Sequence, residues 1–226
     1  MIGVLVNVFA IVLGSAIGFP IKKGMPERFS KCIMTAISLC IIYTGISGSL
    51  KGENSLVIII SMVLGALLGE LLDIDKGFNK MSQKLEEKFS NGEKSFSKGF
   101  ISASLIFCIG AMAVVGPLQA GLSENNEMLF SKSVMDFSIA VVLASGFGFF
   151  PVAFSAVSVL VYQGAIALLS GVVSPLFTQS VINEMTCVGS ILIIGLGLNT
   201  LNITKIKLMN FIPAIFMPIV LCLIIK

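Results

Sequence analysis

The chain has 226 residues, 56% of them hydrophobic and only 12% charged, with 22 Gly, 17 Phe, 11 Met and neither Trp nor His. A soluble domain carries roughly a quarter of its residues as charged side chains, so this composition marks an integral membrane protein. Fifteen Lys and Arg against twelve Asp and Glu leave a net charge of +3, spread between apolar segments, which argues against a nucleic-acid partner. The absence of His excludes a Ser–His dyad, a His-ligated zinc and a histidine proton relay.

A helical span needs about 20 predominantly apolar residues. Apolar stretches at 2–21, 32–50, 55–73, 99–119, 133–149, 151–173, 186–203 and 208–225 predict an all-α polytopic transmembrane helix bundle of about eight spans. It forms a single transmembrane domain over 1–226. The count falls to seven if the nearly continuous stretch 133–173, interrupted mainly by Gly146, Gly148 and Pro151, holds one span and a re-entrant segment.

The first stretch, MIGVLVNVFAIVLGSAIGF, has no positive residue ahead of it and is followed by Lys22 and Lys23, the pattern of a retained span rather than a cleaved signal peptide. In the second, Gly45 to Gly48 match the G-x-S-G of rhomboid proteases, but no His exists to take the serine proton, so the match is a coincidence. The third ends in Glu70, Asp73 and Asp75, whose spacing lacks the pattern of a calcium loop. Neither a metal, a cofactor nor an enzymatic role is expected.

The polar segment 76–98 places Phe78, Met81, Leu85 and Phe89 among lysines and glutamates. That spacing predicts an amphipathic helix lying on an anionic cytoplasmic leaflet, with a solvated linker as the alternative. Gly116 and Pro117 predict a break near the end of the fourth span, just before Gln119, because proline lacks an N–H and clashes with the preceding turn. Lys132 and Asp136 open the fifth span four residues apart, so they share a helix face. A carboxylate leading directly into a long apolar run suggests function or a buried partner, and an interfacial pair with Lys132 is the competing explanation. Gln163 and Asn199 carry amides into the sixth and seventh spans, where they can bind a polar solute or bond between helices.

VLGSAIGF from Val12 to Phe19 recurs as VLASGFGF from Val142 to Phe149, with five of eight positions identical at an offset of 130. An offset of 51 sets Val12, Leu13, Gly14 and Gly18 on Val63, Leu64, Gly65 and Gly69. These echoes predict internal repeats of glycine-rich helical hairpins, with halves near 1–119 and 131–226. Gly14 with Gly18, Gly65 with Gly69, and Ala144 with Gly148 place small residues one turn apart, as helix packing in lipid requires.

Lys22, Lys23, Arg28 and Lys31, the six lysines between Lys76 and Lys98, and Lys205 with Lys207 fall in alternate connections. Positive loops stay cytoplasmic, so eight spans place both termini outside. Cys32, Cys40, Cys108, Cys187 and Cys222 all lie in apolar stretches and read as small buried residues.

The glycine-rich first span, GAMAVVGPLQAGL from Gly110 to Leu122, the K-S-x-x-D element of Lys132, Ser133 and Asp136, and the pair Gln163 and Gly164 carry a resemblance over nearly the whole chain. On these residues the sequence resembles the YdfK/YqgA-like family of uncharacterised bacterial integral membrane proteins. The resemblance implies a bacterial inner-membrane location and no particular activity. The expected function is a small secondary transporter or exporter of a polar solute or ion, coupled to a cation or proton through Asp136. The partners implied are the lipid bilayer, an unidentified small polar solute or ion, and a second copy in a homodimer. The alternative is a non-transporting scaffold or sensor acting through the basic 76–98 segment.

Overall fold

The computed structural model describes residues 1–23, 26–77, 80 and 96–224, which form helices joined by short connections, with no strand among them. Helices α1 (Ile2–Lys23), α2 (Glu27–Ser49) and α3 (Ser55–Leu72) follow the first three apolar stretches. The fourth is divided into α4 (Phe96–Cys108) and α5 (Ala111–Leu122), and the long stretch after it into α6 (Glu127–Phe147) and α7 (Phe149–Leu168). A single turn at Ser170–Val173 leads to α8 (Gln179–Thr200), and a 3₁₀ turn at Leu208–Phe211 opens α9 (Ile212–Ile224).

Six of the described helices, α1, α2, α3, α6, α7 and α8, are long and apolar enough to cross a membrane. The α4–α5 pair, bent by 57°, makes a seventh if it is one broken span. The segment expected as an eighth span is a shorter apolar helix, Leu208–Ile224. The interfacial helix expected over 76–98 lies, apart from its ends, outside the described residues.

Local chemistry sets the helix ends. The Asn54 side chain accepts hydrogen bonds from the Leu56 and Val57 amides at the start of α3, and Thr178 accepts from Val181 at the start of α8. Asp73 closes α3 in the left-handed conformation, at φ 48°. The break in the fourth stretch falls at Gly110, where φ is 118°, and not at Gly116 and Pro117, which lie inside α5. Proline removes one hydrogen bond from a helix, whereas a backbone at that φ reverses the local path and is open only to glycine. Gly148, expected as a packing residue, is buried and also turns the chain between α6 and α7 at φ 98°.

The outward faces of the helices are apolar, unlike the surface of a soluble protein. On α1, Leu5, Phe9, Leu13 and Ile17 form an exposed stripe while Val4, Asn7, Ile11 and Ser15 are buried. On α3, Leu56, Ile59, Val63, Leu67 and Leu71 are exposed, and Val57, Ser61, Gly65 and Gly69 face inward. Large apolar groups outward and small or polar groups inward suit a lipid solvent, where close packing and hydrogen bonds hold helices together.

The chain resolves into two compact units that do not follow the two sequence halves. One unit gathers α1, the part of α2 up to Ile37, and α4 to α7. Within it, α1 and α6 are parallel: Gly3 meets Leu129, Gly14 meets Phe137 and Ala140, and Gly18 meets Val141 and Ala144. The other unit holds the rest of α2 from Ser38, together with α3, α8 and α9. There α3 and α9 run antiparallel, with Gly65 against Ala214 and Gly69 against Asn210. In the same unit Gly45 and Gly48 seat α2 on Ser190 and Ile194 of α8, while Ser47 is exposed, so the G-x-S-G match is a packing face.

Candidate functional site

In the first unit, four polar side chains from three apolar helices converge. The Lys132 ammonium donates to both carboxylate oxygens of Asp136, at 2.9 Å to Oδ1 and 2.7 Å to Oδ2. One helical turn separates the two residues, so α6 alone fixes their pairing. Asn7 of α1 donates from Nδ2 to Asp136 Oδ2 at 3.0 Å and to Gln163 Oε1 of α7 at 3.2 Å. Lys132 and Asp136 are 6% and 3% exposed, and Asn7 and Gln163 are fully buried. Both partners of the pair are therefore buried inside this unit.

These bonds fix the amide orientations. Asn7 must present its NH₂ to Asp136, because its carbonyl would meet a carboxylate oxygen. Gln163 must then present its carbonyl to the Asn7 NH₂. As a result Asn7 Oδ1, an acceptor, and Gln163 Nε2, a donor, are buried without a hydrogen-bond partner among the described residues. Such atoms are uncommon, and each costs about 1–3 kcal/mol when left unanswered. Gly116 of α5 packs against Leu129 of α6, one turn before Lys132, so the second half of the broken helix runs beside the start of the helix that carries the pair.

The structure thus brings together Lys132, Asp136 and Gln163 of the residues expected from sequence, and adds Asn7. The signal for Asn7 was legible as an amide in the middle of the apolar run MIGVLVNVFAIVLG. Gln119, half-buried on α5, lends its backbone carbonyl to Ser123 and makes no hydrogen bond to the four. Asn199 belongs to the other unit, where it staples a loop: it donates to the Ile206 carbonyl and accepts from Thr204 Oγ1 and the Ile206 amide.

The second unit holds another buried carboxylate that sequence reasoning passed over. Glu184, like Asp136, leads directly into an apolar run and is fully buried. Its Oε1 accepts from the Glu53 and Asn54 amides, at 2.8 and 2.7 Å, just before α3 begins. A carboxylate at a helix N-terminus satisfies amides that the helix leaves open. Glu184→Ala is expected to deprive both amides of an acceptor and destabilise the 50–57 segment by about 1–3 kcal/mol. Hydrogen exchange by mass spectrometry reads this as faster labelling there, and unchanged labelling would remove the anchoring role.

Apolar helices with large side chains outward, small ones at the seams and a buried ion pair with amides inside define a polytopic helical membrane protein. The chain belongs to the family described as a protein of unknown function (DUF554), whose model matches residues 2–223. It is similar to the uncharacterized membrane protein YdfK of Bacillus subtilis, with 33% identity across 100% of this chain and 97% of that protein. It is also similar to the uncharacterized protein YqgA of Escherichia coli, with 27% identity across 96% of this chain and 94% of that protein. No solved structure matches the chain.

Proposed function

We propose that the protein is a small secondary transporter or exporter of a polar solute or ion in the bacterial inner membrane, and not an enzyme. The observation that carries this reading is the buried Lys132–Asp136 pair bound to Asn7 and Gln163, with one acceptor and one donor left open. Ionisable groups inside a membrane domain are costly and are retained chiefly at pathways and binding sites. The broken α4–α5 helix beside the pair adds to this reading, since interrupted helices line cavities in transporters.

Chain direction supports eight crossings, which put both termini on one side, and the positive loops favour the outside for that side. Between α1 and α6 lie α2, α3 and the α4–α5 pair. If each crosses once, α1 and α6 are parallel, as their contacts are. A fourth stretch that re-entered without crossing would make them antiparallel. Counting onward from α3 through α8 makes α9 antiparallel to α3, which also fits. The shared use of two glycines at offset 51 for the closest approaches of α1 and α3 is compatible with a duplicated hairpin. A homodimer is a further expectation for so small a chain.

Purified protein in liposomes tests the reading through solute-driven swelling, followed by light scattering and compared with protein-free vesicles. The wild type is expected to accelerate flux, and Asp136→Asn to reduce it by at least roughly tenfold, the effect of losing a charge-assisted bond. Equal flux in the variant removes Asp136 from the mechanism. A phenotype that depends on the 76–98 segment but not on Asp136 or Gln163 would favour the scaffold reading.

A further inference from the structure

Glu184 of the second unit carries a buried carboxyl that no cation balances. Its side chain is fully buried, and Oε1 accepts from the Glu53 and Asn54 amides. Oε2 is buried as well, without a hydrogen-bond partner among the described residues. Among those residues Glu184 has no ion-pair partner either. The amides at the start of α3 carry partial charge and do not supply a whole positive one.

Asp136 is the contrasting case. Lys132 holds both of its oxygens, so a proton arriving there has to displace the ammonium and strand it. A proton arriving at Glu184 Oε2 displaces nothing and removes a whole buried charge. It needs a lone pair and no cavity, and Oε1 goes on accepting from both amides. The approach from solvent is short. Glu53, whose amide Oε1 holds, is exposed, and its own carboxylate accepts from Asn183, the neighbour of Glu184 on α8.

We infer that Glu184 is a proton-binding site, and that the proton on Oε2 sets how firmly the connection between α2 and α3 is held. An O–H bond forms on Oε2 with a proton taken from water at the connection, and the same bond breaks when the proton returns. As the anion, Glu184 makes charge-assisted bonds to the Glu53 and Asn54 amides; as the neutral carboxyl it makes ordinary ones, about half as strong. The start of α3 is therefore held firmly in the charged state and loosened in the protonated one. The other titratable groups at this end of the unit are Lys51 and Glu53, both exposed, Cys187 on α8, whose thiol donates to the Ser49 carbonyl, and Cys222 on α9. As a proton site Glu184 stands by itself, and as the site of proton coupling it rests on the transporter reading.

Hydrogen exchange of the detergent-purified protein, compared between wild type and Glu184→Gln over a range of pH, reads the site. Glutamine keeps an oxygen for the two amides and is neutral at every pH. The wild type is expected to label residues 50–57 roughly tenfold more slowly than the variant in alkali, the effect of two charge-assisted bonds, and the two are expected to converge as the pH falls. The intrinsic pH dependence of exchange cancels in this ratio, and an anchor that takes no proton would keep the ratio constant. Should the variant not be recovered folded, the wild type supplies its own reference, because the Ile206 amide is held by Asn199 Oδ1, which does not titrate. Labelling of 50–57 relative to 203–207 is then expected to rise on acidification.

In proteoliposomes holding a pH-sensitive dye, a membrane potential is expected to drive protons through the wild type and not through Glu184→Gln. A pH-dependent exchange ratio without proton movement beyond that of protein-free vesicles supports the site and overturns the coupling. Equal proton movement in wild type and variant likewise overturns Glu184 as the coupling site. A constant exchange ratio overturns the proton site whatever the vesicles show, and leaves the transporter reading to the Asp136→Asn comparison.

Discussion

Lys132→Met is expected to be among the most damaging single substitutions in the protein. It leaves the Asp136 carboxylate buried at 3% exposure, with Asn7 as its one remaining hydrogen-bond partner. Removing one partner of a buried ion pair costs about 3–5 kcal/mol, because the other charge loses its compensation without regaining water. Asp136→Leu alone is expected to be similarly harmful, since it strands the Lys132 ammonium. Replacing both, as Lys132→Met with Asp136→Leu, removes both charges together and is expected to recover most of that loss. The melting of helical circular dichroism in detergent provides the comparison. The double variant is also expected to lack flux, because recovered stability does not restore the polar site. If the double variant is no more stable than either single one, the pair does not act as the coupled unit described here.

Gly69→Leu is expected to match that effect by a different route. A Cβ at Gly69 would meet the Asn210 carbonyl, and at Gly65 the backbone of Ala214, so α3 lies directly on the segment leading into α9. Neither neighbour is a flexible side-chain tip that could swing aside. Overpacking of a fitted interface costs about 1–3 kcal/mol for modest additions, and a leucine against backbone is expected to exceed that. Gly69 also seats a polar cluster: Asn210 donates to Glu70 Oε2 at 2.6 Å and accepts from the Asp75 amide at 2.7 Å. Displacing α3 would break both. Monodispersity on size exclusion and the yield of extracted protein give the readout, with Gly171→Ala as the tolerated control. Wild-type behaviour of Gly69→Leu would show that α3 and α9 are not in close contact.

Much of the architecture was legible because lipid imposes a simple rule. Every crossing needs a long apolar helix, and the boundaries of α1, α3, α6 and α7 follow the apolar stretches within a few residues, apart from the polar start of α6. Gly14, Gly18, Gly65 and Gly69 were readable for a related reason. Where the hydrophobic effect is absent, only small side chains let two backbones approach. The break in the fourth stretch was misplaced because proline is the conspicuous helix breaker in a sequence, while the positive φ of Gly110 has no local signature distinguishing it from the neighbouring glycines.

Sequence by itself determined that the chain is a helical membrane protein, which helix faces are small, and that carboxylate, amide and backbone carbonyl are its available polar chemistry. It also supplied Lys132 with Asp136, because residues four apart on a helix meet regardless of the fold. Tertiary structure alone decided that Gln163 joins them, that Asn7 links the two helices, and that Asn199 closes a loop in the other unit. Residues 7 and 163 are distant in sequence, and hydrophobic periodicity says which face of a helix is buried but not which other helix that face will meet.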